Sequence, residues 1–423
     1  MVSPPLLQPD FQAQPPCAVS CASLSEEEVD TTEQFDDHGF ALPPDGDAVG
    51  ENVREYHRWF EPKALRRLGR FEYRRKRLPD PGAWSSVPKT ALKGLLRKGV
   101  PHEHRKEVWC SVLGVPERMK ASPSSYAEIL AQARQEIPYK TSEEIERDLQ
   151  RTFPNHRRFR QAVGQAELRN VLSAYAHHAP RVQYCQGINF IAALLLIVLE
   201  EEELSFWALV SAVETLGVER YYTEGMTLLR ADMRTLGTLL EKKCPKVARR
   251  FAAVGVDLTS ICSEWFITWY AKCMPISTTL RVWDAMFYEG FKVLFRVAVG
   301  IFKLVEADIL KCTNFEDVME QAKDWPRRMV NHNELLKTSF KGVPGLRRQD
   351  LLQVRDDALC HVEREDEEQK RRHQNVRERQ ALERAAREAT KAAESKQQSV
   401  ATGGAVLATA AALHVSGGGG GSN

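Results

Sequence analysis

Apolar residues recur at helical spacing through most of the middle of the chain. Leu168, Val171, Leu172 and Tyr175 form one series, and Phe206, Leu209, Val210 and Val213 form another. Phe291, Leu294, Phe295, Ala298, Ile301 and Phe302 form a third. Steps of three and four residues put each set on one helix face, which must bury against a neighbour. Ile188 to Leu199 is apolar almost throughout, with Asn189 inside it, and reads as a buried helix too short to span a bilayer. Alternating strand patterns bounded by hairpin signals are nearly absent. The pattern therefore predicts an all-α domain over residues 95–340, with many helices around a shared core.

The pattern fails towards both ends. Residues 1–50 mix proline, serine and acidic side chains with few apolar ones, a composition expected to stay disordered because it buries too little surface to offset ordering entropy. Residues 51–94 read as a basic, aromatic, helical lead-in. Within it, Arg54 to Arg77 carries ten Lys/Arg against three Glu, interleaved with Tyr56, Trp59, Phe60, Phe71 and Tyr73. The aromatics can pack on the main domain, or the stretch can offer a peripheral patch to an anionic membrane or a partner. An RNA surface would need those rings exposed for stacking. Residues 341–396 read as a linker and charged helix, with eleven basic and eleven acidic side chains between Arg355 and Lys396. Leu359 and Val362 begin a seam that Asp366, Gln369 and His373 do not continue, which favours a lone solvated helix over a coiled coil. Residues 397–423 read as a low-complexity flexible tail.

Composition changes this picture little. A 423-residue chain that is 43% hydrophobic and 27% charged fits a packed core diluted by polar ends. The formal net charge of +2 supplies no global field for nucleic acid or anionic lipid, so any basic surface is local and no nucleic-acid partner is expected. Nine cysteines, an odd number without a C-x-x-C pair, point to a reducing, cytoplasmic setting and no zinc site. No basic stretch precedes an apolar one at the N-terminus, so a secretory leader is not expected.

Two segments carry candidate chemistry. In Thr141 to Pro154, Thr141 with Glu144 three residues on reads as a capping box that starts a helix. Pro154 cannot continue it, so a stop is expected near Thr152. Asp148 and Arg151, three apart, are then neighbours near its C-terminal end, and a partly fixed arginine there can project towards a phosphate. By itself the pair also fits an ordinary surface ion pair. In Tyr184-Cys185-Gln186-Gly187, the glycine permits a tight turn before the buried helix, and Gln186 sits at the helix entry, where its amide both donates and accepts. Cys185 with His177 or His178 is an alternative nucleophile and base, although no local signature supports activation.

Four motifs occur in order. They are Gly99-Val100-Pro101-x-x-x-Arg105-x-x-Val108-Trp109, Ile145-x-x-Asp148-x-x-Arg151, Tyr184-x-Gln186-Gly187 and Arg281-x-Trp283-Asp284-x-x-x-x-Glu289-Gly290. The set resembles the TBC-domain family of Rab GTPase-activating proteins, over residues 95–290 and more weakly to about Phe340. Where the family often has Leu-Pro ahead of the fourth motif, this chain has Met274-Pro275, a swap that conserves volume.

The resemblance implies a V-shaped multi-helical domain whose groove accepts a GTP-bound Rab. It implies that Arg151 and Gln186 are catalytic fingers supplied in trans, acting on the GTP and Mg of the bound GTPase, with no cofactor of the chain's own. Ile145, Asp148, Tyr184, Gly187, Asn189, Arg105, Arg281, Trp283 and Asp284 are expected to support them. Asp148 can hold Arg151 or pair with Arg105, and Trp109, Trp265, Trp269 and Trp283 are expected in the core. The implied location is cytoplasmic, peripheral on endomembranes. The alternative is a TBC scaffold that binds Rabs or other partners without accelerating hydrolysis; such members often lack a finger, and this chain lacks neither.

Overall fold

Each of the three periodic series lies on its own helix and is buried along its whole length. The first is on helix Ala162–His178, the second on Glu202–Leu216, and the third on Lys292–Leu304 with Phe291 as its N-cap. The computed structural model describes residues 35–41, 66–76, 84 and 87–415, with side chains as far as Lys391. Among these residues there is no strand, only two isolated bridges, Phe35 with Ala41 and Phe40 with His156.

Helix Ile188–Leu199 is buried at every position and packs on both Ala162–His178 and Glu202–Leu216. Fully burying a large aliphatic side chain is worth roughly 1.5–3 kcal/mol, which explains why a helix with no polar face occupies the interior. A second group, Thr227–Lys243, Leu258–Ile267, Ile276–Glu289 and Lys292–Leu304, packs around Thr227–Lys243 and Lys292–Leu304. Lys89–Lys98 and His102–Leu113 both pack on Ile276–Glu289, and His102–Leu113 also reaches Ile188–Leu199 and Glu202–Leu216. The first helices of the domain thus join its two halves. No helix among the described residues is long and apolar enough to cross a membrane.

Several boundaries differ from those expected. The helix carrying the arginine motif is Tyr139–Leu149, with Pro138 as N-cap and no side-chain cap. Thr141 and Glu144 therefore form no capping box; Thr141 is buried and its hydroxyl donates to Gln183 Oε1 at 3.3 Å. Pro138 ahead of a helix start sets the backbone angle that a cap would otherwise set. The domain boundary placed at Leu95 falls inside helix Lys89–Lys98, whose Leu92, Leu95 and Leu96 are all buried.

Residues 35–41, inside the stretch expected to be disordered, form a folded turn docked on Asn155 to Arg157. Of the basic lead-in, residues 66–75 are helical: Phe71 is buried against Trp84 and His104, whereas Tyr73 is exposed. Tyr56, Trp59 and Phe60 lie outside the described residues.

The C-terminal helix is not lone. It runs Arg348–Val415, through the segment read as a tail, in keeping with the alanine-rich sequence after Ala405. Its start is docked: Leu351 and Val362 are buried, and Leu359 packs against the core. Arg355 donates to Asp232 at 2.7 and 2.8 Å, and Tyr221 also donates to that carboxylate. Leu359 and Val362 thus face the domain rather than a coiled-coil partner. From Glu367 to Lys391 every residue is exposed.

Candidate functional site

Arg151 sits two residues past the end of helix Tyr139–Leu149, which stops ahead of the expected Thr152, in the turn that leads to Pro154. Its guanidinium pairs with Asp148, and the two side chains differ sharply in exposure, 53% against 3%. An arginine anchored at its base by a buried carboxylate loses rotamer freedom but keeps its outer donors available. Asp148 is held in turn by the Tyr184 hydroxyl, which donates to Oδ2 at 2.5 Å. Burial and that carboxylate push the Tyr184 phenol far above its ordinary range, so it stays a donor at any physiological pH.

Gln186 lies one residue ahead of Gly187, the N-cap of helix Ile188–Leu199, which adopts φ 117°. The side chain of Gln186 is exposed and makes no hydrogen bond with any described residue. Behind it the turn is tightly held. Gly187 N–H donates to Asn189 Oδ1 at 2.9 Å, and Asn189 Nδ2 donates to Thr152 Oγ1 at 2.7 Å. Thr152 then donates to the carbonyl of Asp148 at 2.5 Å. The arginine and glutamine turns, more than thirty residues apart in sequence, are joined by two separate links, Asp148 to Tyr184 and Thr152 to Asn189. Ile145, on helix Tyr139–Leu149, is buried in the core.

Thr152 was not singled out from the sequence. Its signal is weak: a threonine after a helix end is common, and only the fold brings Asn189 to it. Cys185 does not form a nucleophilic pair. Burial pushes its thiol up to about 11, and His178 packs edge-on against Phe206 and Trp207.

The remaining motif residues assemble elsewhere, in the buried seam between the first helices and Ile276–Glu289. Asp284 accepts from Val100 N–H at 2.9 Å, Trp109 Nε1 at 3.0 Å and Arg105 Nε at 3.1 Å. Arg281 reaches the same carboxylate at 3.5 Å and the carbonyl of Arg97 at 3.2 Å. The first and fourth motifs are thus one structural hub, and Arg105 pairs with Asp284, leaving Asp148 to Arg151. Burial, together with nearby Arg67, lowers the Arg281 guanidinium to about 9. Gly99 is packed so closely that a Cβ there would stand 2.1 Å from Arg281 Nη1. Trp283 donates to the carbonyl of Trp269 at 2.9 Å, and all four tryptophans expected in the core are buried.

The Rab-GTPase-TBC domain profile matches residues 102–310, which contain Arg105 and the other three motifs. Human growth hormone-regulated TBC protein 1 is 36% identical over 69% of this chain and 84% of that protein.

The chain belongs to the Rab-GTPase-TBC domain family.

Human TBC1 domain family member 2A is 34% identical over 81% of this chain, and the chain spans 37% of that longer protein. Among solved structures, the TBC domain of the Chlamydomonas flagellar RabGAP aligns with a TM-score of 0.62 at 28% identity, over 74% of this chain and 100% of that one. The Ypt/Rab-GAP domain of Gyp1p has the same fold, with a TM-score of 0.55 at 18% identity, over 66% of this chain and 98% of that one. This TBC domain carries a further surface feature. A cleft of ≈ 560 Å³ is lined by Arg67, Arg70 and Arg74 from the lead-in helix and by Lys98, Lys337 and Lys341 from the domain.

Proposed function

We propose that this chain is a GTPase-activating protein for a Rab-family GTPase, supplying Arg151 and Gln186 in trans and so regulating membrane traffic. The observation that carries this reading is the contrast within the site: two exposed polar side chains stand on turns that a buried hydrogen-bonded network ties together. Phosphoryl transfer needs positioning and charge stabilisation more than covalent chemistry. Arg151 neutralises charge developing on the transferred γ-phosphate of the GTP-bound partner. Gln186 orients the attacking water, accepting from it through the amide oxygen. The nucleotide and Mg belong to the bound GTPase. An arginine supplied in this way is worth roughly 10³ to 10⁵ in rate, about 4 to 7 kcal/mol of barrier.

Arg151→Ala and Gln186→Ala should each abolish stimulated phosphate release from a responsive Rab while leaving the melting temperature near that of the parent. A panel of GTP-loaded Rabs identifies the responsive one. Binding without acceleration across the whole panel would favour the scaffold reading instead.

Peripheral contact with anionic endomembranes from the cytoplasmic side is the second part of the proposal. It is supported by the cationic cleft, where the lead-in helix and Lys337 and Lys341 concentrate positive charge on a chain of net charge +2. Each basic residue near such a surface adds about 1 kcal/mol. Co-sedimentation with phosphatidylserine vesicles should fall on replacing Arg70 and Arg74 by glutamate; unchanged binding sinks this part.

A further inference from the structure

Residues Phe35 to Ala41 fold into a closed turn beside the arginine loop. Asp36 Oδ1 accepts from His38 and Phe40 N–H, both at 2.9 Å, and Asp36 N–H donates to the Phe40 carbonyl at 2.8 Å. The turn is pinned on Asn155 to Arg157 by three hydrogen bonds. Ala41 N–H donates to Asn155 O at 2.8 Å, Arg157 N–H to Gly39 O at 3.0 Å, and His156 Nε2 to His38 O at 2.8 Å. Gly39 has φ +85°, and a Cβ there would stand 2.9 Å from His156 Nε2. Only glycine fits that contact without strain.

The turn delivers one ring to the site. Phe40 meets Phe153 edge-on at 5.2 Å, and Phe153 meets Phe190 edge-on at 5.3 Å. Phe153 is two residues from Arg151 and holds a left-handed φ of 46°, which is costly for an aromatic residue and persists only where packing enforces it. Phe190 is in the first turn of the helix that Gln186 precedes. The three rings therefore run from the N-terminal turn across the arginine loop to the glutamine helix.

From this we infer that residues 35–41 are a strap that holds the arginine loop in its working position against the glutamine turn, with Phe40 as the positioning residue. The inference rests on the Rab-directed reading given above. Phe40 touches neither finger; it acts through Phe153. Edge-to-face ring pairs add a modest attraction beyond their burial. That is small beside the stability of the domain, and comparable to the bias a loop needs to favour one conformation.

The test uses the full-length chain with Gly39→Ala, Phe40→Ala and Phe40→Tyr, beside the parent and Arg151→Ala. Gly39→Ala and Phe40→Ala should lower the maximal stimulated rate about tenfold, since small misplacement of a catalytic group costs rate steeply. Half-saturation by the GTPase and the melting temperature should stay near the parent values, and Phe40→Tyr should recover the rate. Amide hydrogen exchange should quicken at Thr152 and Gly187, neither of which bonds to the strap. An unchanged maximal rate in both variants overturns the inference. So does a raised rate, which would make the strap a cover over Arg151. If the parent itself stimulates no GTPase, the Rab-directed reading fails separately; faster exchange at Thr152 and Gly187 then still supports the strap, and unchanged exchange overturns it.

Discussion

Asn189 Nδ2 lies 2.7 Å from Thr152 Oγ1, and this hydrogen bond fastens the turn before buried helix Ile188–Leu199 to the turn after helix Tyr139–Leu149. Both residues are buried, and neither is exposed to a partner. Their effect on function passes through Gly187 on one side and the Asp148 carbonyl on the other.

Asn189→Ala leaves the Thr152 hydroxyl and the Gly187 N–H without their present partner. A buried polar group left unsatisfied costs about 1–3 kcal/mol, so denaturant midpoints should fall by a corresponding amount. The stimulated rate should fall further than stability alone explains, because both finger turns lose their common anchor. A variant with parent-like rate at saturating GTPase would show that the link is structural only.

Asp284 is the opposite kind of residue, buried away from the two exposed fingers and holding several donors at once. Asp284→Ala strands Arg105 and Arg281, both buried, without their counter-charge. Removing one partner from a buried ion pair costs about 3–5 kcal/mol. The expected result is a large drop in melting temperature, and insoluble protein is the extreme of the same outcome.

His156 gives stability a pH dependence with a definite sign. Its Nε2 donates to His38 O and its Nδ1 accepts from Arg158 N–H, so the folded state holds the ring neutral. Burial, opposed by the His38 carbonyl and aided by Arg157 and Arg158, lowers its pKa to about 4 from an ordinary 6.5. Folded pKa below unfolded pKa means that the contribution is fully present above pH 6.5 and is lost as pH falls through 4. His102, whose pKa burial also lowers, lines the same cavity with Asp37 and Glu200. Melting temperature measured from pH 7.5 to 4.5 should decline less steeply in His156→Gln than in the parent.

The long C-terminal helix should divide energetically near Asp366. Arg355→Ala exposes the buried Asp232 carboxylate to an unpaired state and should cost about 3–5 kcal/mol. Truncation after Asp366 removes a stretch that is exposed from Glu367 to Lys391 and should shift stability by no more than about 0.5 kcal/mol. Equal effects from the two changes would contradict the docking described for this helix.

Helical periodicity by itself determined the class of the fold and the faces that bury, because spacing on a helix is a local property of the chain. Leu168, Phe206 and Phe295 needed no tertiary information to be placed in the core. Arg151 and Gln186 were legible as a pair only through the order of four motifs. Their geometry was not. Asp148 could have served Arg151 or Arg105, and the choice was made by Asp284, which lies 179 residues from Arg105 in sequence and 3.1 Å from it in space. The docked turn at residues 35–41 was missed because the stretch around it, residues 1–50, is rich in proline, serine and acidic side chains. The available signal was Asp36 followed by Gly39 and Phe40, an Asx-type turn ending in an aromatic ring. Whether such a turn folds depends on a surface to receive it, and that surface, Phe153 to Arg157, exists only once the helices around it have packed.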